Sequence, residues 1–488
     1  MQNKASQKQA FLFTLINYIG IFIGIISTLF IYPKNKELLG VLRYVEALAL
    51  TLFPILLLGA SQALINFNPK LEVDHKKKLF NYSIFSIVFI SFLLLIVVYI
   101  LSFFSSFKGM KYIYFSFPIA ICLAFIELFK KQATIIQKIA FPSFFDNIIP
   151  KIALPIIFIL LLHHYISVEE SLLFYVASYI LIFLCVGWYI LRYFKPSFDF
   201  KFDTLFTQIS KNEYYKFSIF AFAGSLGSVF AFRIDALMIP KFISMEALGT
   251  FSIGVTLSSA LAIPATGIFT LYAPIISNYL KTENYLELNM KYKEVSKLLF
   301  FIGAILYSCI FLGIENLFML LPTHENLIAS IPVILILGFN VLVNMGTGFN
   351  GEIITYSKYY KFNLVAISLL VILNVSLNLL FILYFKLGIE AIAVASLLSM
   401  VVFNVSKLLF IYKKFHLFPF DSSYLKVVAI ASSILILVYF LPNFNSVVVN
   451  LIYKTTICIS LNILIVYKLK LIYQFNFWIG KIKTRVFK

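Results

Sequence analysis

For its length this sequence has little charge. Only 12% of its 488 residues are Asp, Glu, Lys or Arg, against the ~25% of an ordinary soluble domain, which excludes a large water-exposed protein. Cysteine is scarcer still, with four residues. Cys122, Cys185, Cys309 and Cys458 each stand alone inside an apolar run, and without paired spacing they indicate neither a disulfide framework nor a metal site. No Gly-Lys-Ser/Thr loop occurs, so the chain carries no ATPase of its own. No connection is long enough to form a soluble domain.

What is present is apolar length. Hydrophobic residues make up 61% of the chain and the mean hydropathy is +0.96. Windows of about 20 apolar residues, enough to cross hydrocarbon as helix, recur throughout. They predict an all-α integral membrane protein with about fourteen transmembrane helices, at 10–32, 39–65, 79–104, 112–133, 147–165, 169–191, 217–239, 247–280, 298–321, 325–355, 362–384, 388–412, 425–441 and 446–467. The first span has no small-residue cleavage site after it and reads as a retained helix, not a signal peptide.

The net charge of +19 raises nucleic acid as a partner, but the placement of the charges argues for a membrane. With the N-terminus inside, only Lys34, Lys36, Arg43, Lys108, Lys111, Lys241, Lys386 and Lys454 of the 40 Lys and Arg fall outside, and Arg233 lies within a span. The remainder fall in the inside set: the N-terminus, 66–78, 130–151, 192–216, 281–297, 358–361, 407–426 and the tail. A bias of roughly four to one is what the positive-inside rule requires, so both ends are expected to be cytoplasmic.

A hinge occurs twice. Tyr32-Pro-Lys runs to Gly40 through Glu37, and Ile239-Pro-Lys runs to Gly249 through Glu246; each is expected to be an outside turn that ends at its glycine. Matches follow in the same order: a basic connection (Lys76–Lys78; Lys291–Lys297), a proline (Pro118; Pro332), and an acidic turn (Glu169, Glu170; Glu390). The spacing predicts two like six-helix bundles in the same orientation, related by an axis along the membrane normal. The expected organisation is an N-terminal bundle over 1–194, a cytoplasmic linker over 195–216, a C-terminal bundle over 217–412, two additional helices over 413–470 and a basic tail over 471–488. Phe198, Phe200, Phe202 and Phe206 give the linker an interfacial character.

The stretch Phe232 to Ser252, its continuation Ala262 to Ser277, the first hinge and the end of the second span, Leu58 to Ala63, together resemble the Wzx-type oligosaccharide flippases of the multidrug/oligosaccharidyl-lipid/polysaccharide exporter superfamily. That resemblance implies two MATE-like bundles around a cavity and alternating access. It also implies, as cargo, undecaprenyl-diphosphate-linked oligosaccharide moved to the outer face of the bacterial inner membrane for O-antigen, capsule or exopolysaccharide. Membrane lipids, a polysaccharide polymerase and a chain-length regulator are the partners it implies. No cofactor is expected beyond a proton or sodium gradient. A multidrug exporter keeps the architecture and changes the cargo. A membrane polymerase or glycosyltransferase would need a sizeable outside loop, or paired acids such as Asp-x-Asp in the first outside loop, and neither is present: Pro33 to Leu42 holds one Glu.

Such a cargo needs cationic contacts in a polar cavity, and ionisable residues within spans are the candidates. Arg233 is placed to contact the diphosphate, or else to pair with an acid of a neighbouring helix or snorkel outward. Asp235, two residues on, does not share its face and is a coupling-ion site or a structural partner. Arg43 and Glu46 can pair at the outer end of the second span, where Arg43 lines the outer mouth as a substrate contact or else is interfacial, and Glu46 is an ion-coupling acid. Lys130 and Lys131, beside Glu127, attract a headgroup or anchor the helix in the cytoplasmic interface. Asn17, Asn340, Asn344 and Asn350 hydrogen-bond sugars or join helices. Pro264, Gly267 and Pro274 are hinge candidates or packing features, with the glycines of the tenth span alongside them.

Overall fold

The computed structural model describes residues 18–104, 109–196 and 202–477. Asn17, Lys108, Phe198, Phe200 and the tail from residue 478 lie outside the described residues. Among the described residues all regular structure is helical. Twelve helices are long and apolar enough to cross a membrane, thirteen if the bent pair Ile331–Gly346 and Asn350–Tyr356 forms one span. The chain is therefore a multi-pass membrane protein. A shorter apolar helix, α1 (Tyr18–Phe30), precedes them. These segments fall on the expected spans in order, although three of the spans are broken helices.

The chain divides into two compact units, Met1–Gly249 and Thr250–Lys488. The first holds α1, α2 (Lys36–Leu57), α3 (Ala60–Phe67), α4 (Val73–Phe104), α5 (Met110–Ile135), α6 (Ala140–Leu162), α7 (Val168–Tyr193) and α8 (Lys211–Phe242). Helix α5 packs on both α2 and α7, and α8 packs along α2 and α3. Lipid tails are as apolar as Leu, so helices in a membrane associate through close packing of small residues. Accordingly Ala47, Ala49, Ala120, Ala124, Ala133 and Ser116 are buried. By contrast α4 exposes Phe85, Phe89, Phe92 and Leu95, a surface matched to lipid.

The second span is not continuous. Pro54 removes one backbone donor, and Leu58 and Gly59 both take left-handed conformations (φ 41° and 78°), which ends α2 and starts α3. A side chain at Gly59 would also strike Ser218 O of α8, 2.2 Å from the Cβ position. The start of α7 is a capping box: Ser167 Oγ accepts from Glu170 N (3.2 Å) and the Glu170 carboxylate accepts from Ser167 N (2.7 Å). That is the physical reason for an acid at this turn.

The hinges differ from the sequence expectation. Tyr32–Asn35 forms a 3-10 turn, and Asn35 Oδ1 accepts from Leu38 N at 2.9 Å to cap α2. Gly40 therefore lies inside α2, and Gly249 inside α9 (Met245–Ser259); neither ends a turn. They are glycines because two backbones touch there. A Cβ on Gly40 would stand 1.8 Å from Met245 O, and a Cβ on Gly249 1.9 Å from Lys36 O. In the repeat Lys36 corresponds to Met245 and Glu37 to Glu246, so the contact is reciprocal. An ion pair, Lys36 Nζ to Glu246 Oε1 at 3.0 Å, lies beside it.

The second unit holds the rest of α9, then α10 (Ile263–Lys281), α11 (Tyr285–Met319), α12 (His324–Ile328), α13 (Ile331–Gly346), α14 (Asn350–Tyr356), α15 (Phe362–Leu379), α16 (Ile389–Phe415), α17 (Ser422–Tyr439) and α18 (Val447–Lys468). Helix α11 packs against α13, α17 and α18, and α16 against α13, α14 and α15. Tyr292, Met345, Phe349, Ile353 and Ile411 form a buried cluster. The eighth span passes through α9, a 3-10 turn at Ala260–Ala262, and α10, with Pro264 at the start of α10 and Pro274 inside it. Gly267 has open space where a side chain would project.

Two glycine substitutions separate these environments. Gly40→Val should lower the melting temperature of the purified protein by several degrees, because a backbone carbonyl occupies the space. Gly267→Ala should leave it unchanged or raise it slightly, since alanine is favoured in a helix by up to about 1 kcal/mol. Equal melting of Gly40→Val and wild type would refute the backbone contact.

Candidate functional site

Arg43 and Glu46 are three residues apart on α2 and so share a face. Their side chains meet at 2.6 Å, Nη1 to Oε2, and are 25% and 17% exposed. A pair in this position needs polar surroundings, and α7 supplies them. Tyr175 and Tyr179 are buried, with hydroxyls 3.3 Å apart and rings edge-on at 5.3 Å; both lie within electrostatic range of Glu46. Arg233 of α8 also acts on Glu46. Its side chain is exposed, and among the described residues it makes no ion pair. Glu46, bound to Arg43, therefore also lies within electrostatic range of a second guanidinium. Asp235 is half-buried and engaged with a neighbour.

Lys130 and Lys131 are neutralised. Lys130 Nζ is 2.6 Å from Asp146 Oδ2 and 3.8 Å from Glu127, and Lys131 is 3.0 Å from Glu127. The Lys130–Asp146 contact ties α5 to α6. Sequence reasoning missed Asp146 and Lys151 because it began the fifth span at 147 and assigned 130–151 to a connection, whereas α6 starts at Ala140. Lys151 lies within electrostatic range of both Asp146 and Arg43, and Tyr179 of both Glu46 and Asp146. The structure thus brings Arg43, Glu46 and Arg233 together and links them, through α7 and α6, to the Lys130 cluster.

In the second unit the polar residues gather where α13 breaks from α14 with a 52° bend. The final carbonyls of α13 are all satisfied. Thr347 N donates to Val343 O (3.2 Å), Gly348 N to Met345 O (3.0 Å), and Tyr424 Oη to Gly346 O (3.0 Å). The Thr347 hydroxyl sits between Asn344 O (2.8 Å) and Asn404 Oδ1 (3.1 Å), and Asn350 Nδ2 donates to Asn404 Oδ1 at 2.9 Å. Gly348 turns the chain with φ 66°, its α-carbon facing Ser296. Asn350 therefore joins helices, while the Asn344 side chain is exposed. Lys407, which sequence reasoning counted with the connection 407–426, is instead buried in α16 at 8% exposure. A cavity of about 880 Å³ opens between α11, α13 and α17, lined by Phe300, Tyr307, Phe339, Tyr424, Leu425 and Leu435. Nothing in the periodicity of these helices announces it, because it depends on how they pack.

The Arg43–Glu46 pair sets up a double-mutant cycle. Glu46→Gln alone should destabilise the detergent-solubilised protein by a few kcal/mol, on the order of 3, because it leaves a guanidinium without its anion. Adding Arg43→Gln should recover much of that loss. Strictly additive effects on the melting transition would show that the two side chains do not interact.

No family model and no curated protein sequence matches this chain. Solved structures match it along most of its length. The lipid II flippase MurJ, in an inward closed conformation, superposes with a TM-score of 0.69 at 12% identity, covering 94% of this chain and 99% of its own. An inward-facing multidrug resistance MATE transporter of the MOP superfamily gives 0.58 at 13% identity, over 83% and 94%. A MATE structure in the straight conformation gives 0.54 at 13% identity, over 85% and 96%. At such identities the likeness is one of architecture: this chain has the all-helical fold seen in MurJ and the MATE transporters.

Proposed function

We propose that this protein is a flippase that carries undecaprenyl-diphosphate-linked oligosaccharide from the cytoplasmic to the outer face of the bacterial inner membrane, for surface polysaccharide assembly. The observation that carries this reading is Arg233: an exposed guanidinium on a membrane-spanning helix, without an ion pair among the described residues, beside a carboxylate already bound to Arg43. An ionised side chain within a span is costly and is retained where it meets a cavity or a ligand. A planar guanidinium binds phosphate oxygens bidentately. Glu46 keeps Arg43 neutralised until an anionic headgroup competes for it. Asp235 and Glu46 are the acids placed to couple movement to a proton or sodium gradient. Pro264, Gly267 and Pro274 provide flexible points along the eighth span. Lys130 and Lys131, tied to Glu127 and Asp146, meet the headgroup at the inner end.

Two further observations favour a lipid-linked cargo over a small drug. The lipid II flippase covers 94% of this chain and the two MATE structures 83% and 85%. Helix α17, in the part of the chain beyond twelve of the expected spans, forms one wall of the largely apolar cavity, a surface suited to an apolar tail. Direction also fits: moving a diphosphate outward across an inside-negative membrane is downhill by roughly 2.3 kcal/mol per charge per 100 mV. In the orientation proposed, the Gly40–Gly249 contact and the Lys36–Glu246 ion pair lie on the outer side and form a closure that parts during each cycle.

Deleting the gene should cause complete repeat units to accumulate on undecaprenyl diphosphate, protected inside right-side-out spheroplasts from a membrane-impermeant sugar-modifying enzyme. Complete units exposed outside would identify a polymerase instead, and no accumulation would indicate a small-molecule exporter. Arg233→Ala should abolish surface polysaccharide at normal protein abundance, with Arg233→Lys partly active. In a background lacking native cysteines, a short bifunctional thiol reagent joining Lys36→Cys to Glu246→Cys should stop transport; full activity of the cross-linked protein would remove the closure from the mechanism.

A further inference from the structure

The chain does not leave the helices where α18 ends. Lys470 takes a left-handed conformation (φ 51°), Leu471 N donates to Val466 O (3.3 Å), and Lys470 N donates to Tyr467 O (3.2 Å). These two bonds close α18 as a Schellman turn, and Leu471 packs in the same cluster as Val466, the contact that accompanies such a turn. Segment 471–477 is thereby turned back onto α11.

Its residues divide by face. Ile472, 2% exposed, is buried in a cluster with Leu298 and Phe301 of α11 and Val427 of α17, and the Phe475 ring meets that of Phe301 edge-on at 5.1 Å. Tyr473 and Phe477 are exposed, with rings stacked 6.4 Å apart, an aromatic surface suited to the membrane interface. Gln474 reaches inward. Its Nε2 donates to Tyr272 Oη of α10 at 2.8 Å and lies 3.5 Å from Glu294 Oε2 of α11. Glu294 is itself held by Lys291 at 2.9 Å. One side chain therefore spans α10 and α11.

Helix α10 has few other holds. Of its 19 residues only Ala265 and Ile276 are buried. The 3-10 turn Ala260–Ala262 interrupts the span before it. Pro274, two residues from Tyr272, removes the backbone bond that would close on Thr270 O. The Tyr272 ring stacks on Phe349 at 6.0 Å, and its hydroxyl accepts from Gln474. A helix with an interrupted backbone ladder and little burial opens locally at low cost, so a single bond at its middle has a large effect on its mobility.

We propose that segment 471–477 is a strap that fastens α10 to α11, with Gln474 as its positioning residue, and that it limits the opening and movement of the eighth span about its prolines. The strap concerns how the protein moves and not what it carries, so it stands apart from the flippase reading.

The test is hydrogen–deuterium exchange of the purified full-length protein, read on peptides from α10 with peptides from α13 and α16 as internal controls. Gln474→Leu, which keeps the size of the side chain and deletes its donor, should speed exchange in α10 about fivefold, the effect of one lost hydrogen bond. Tyr272→Phe, which keeps the ring on Phe349, should do the same and carries the test if Gln474→Leu does not fold. The double variant should exchange no faster than either single one, because both changes remove the same bond. Wild-type exchange of α10 in both single variants overturns the strap. So does an acceleration spread equally over α10, α13 and α16, or a double variant whose effects add. A gene deletion that accumulates no lipid-linked units would sink the flippase reading and leave the strap standing.

Discussion

Every polar group placed among apolar helices must find its partner inside the protein, because hydrocarbon offers none, and the rest of this structure depends on that constraint. It explains why Arg43 holds Glu46 and why Lys130 and Lys131 are held by Asp146 and Glu127. The same constraint explains how the α13–α14 break is tolerated at all. Breaking a helix in a membrane exposes carbonyls, and here a threonine, a tyrosine and the next backbone amides take each of them. Against that background Arg233, Lys407 and Lys454, which make no ion pair among the described residues, stand apart.

The duplicated hinge gains a different meaning from its geometry. A glycine after Pro-Lys and Glu reads in one dimension as the end of a turn. In three dimensions Gly40 and Gly249 are helical residues whose missing side chains let α2 and the start of α9 touch backbone to backbone, each against the carbonyl of the other's equivalent position. Two copies of one segment meeting in this way produce a reciprocal contact. Neither glycine can change without displacing the partner copy.

The glycines of the tenth span divide by environment in the same manner. Gly346 packs against Tyr424, and Gly348 supplies a left-handed turn that also keeps clear of Ser296. At Gly351 a Cβ would meet Lys407 Nζ at an ordinary contact distance of 3.5 Å. Gly346 and Gly348 thus serve close packing and backbone conformation, two purposes that composition alone cannot separate.

The sequence by itself determined the membrane class, the order of the spans and the ability of Arg43 to pair with Glu46. These follow from one-dimensional quantities: the length of apolar runs, and i,i+3 spacing on a helix. Only the tertiary structure decided that Asp146 and Lys151 belong to a helix and not to a connection, that Arg233 stands near Glu46, that α17 encloses a cavity with α11 and α13, and that Lys407 is buried. Each of those depends on which helices become neighbours, and that is set by small-residue contacts such as Gly40 on Met245 and Gly59 on Ser218. In a chain where nearly every helix is apolar all round, hydrophobic periodicity no longer says which face turns inward, so that information appears only when the helices are packed.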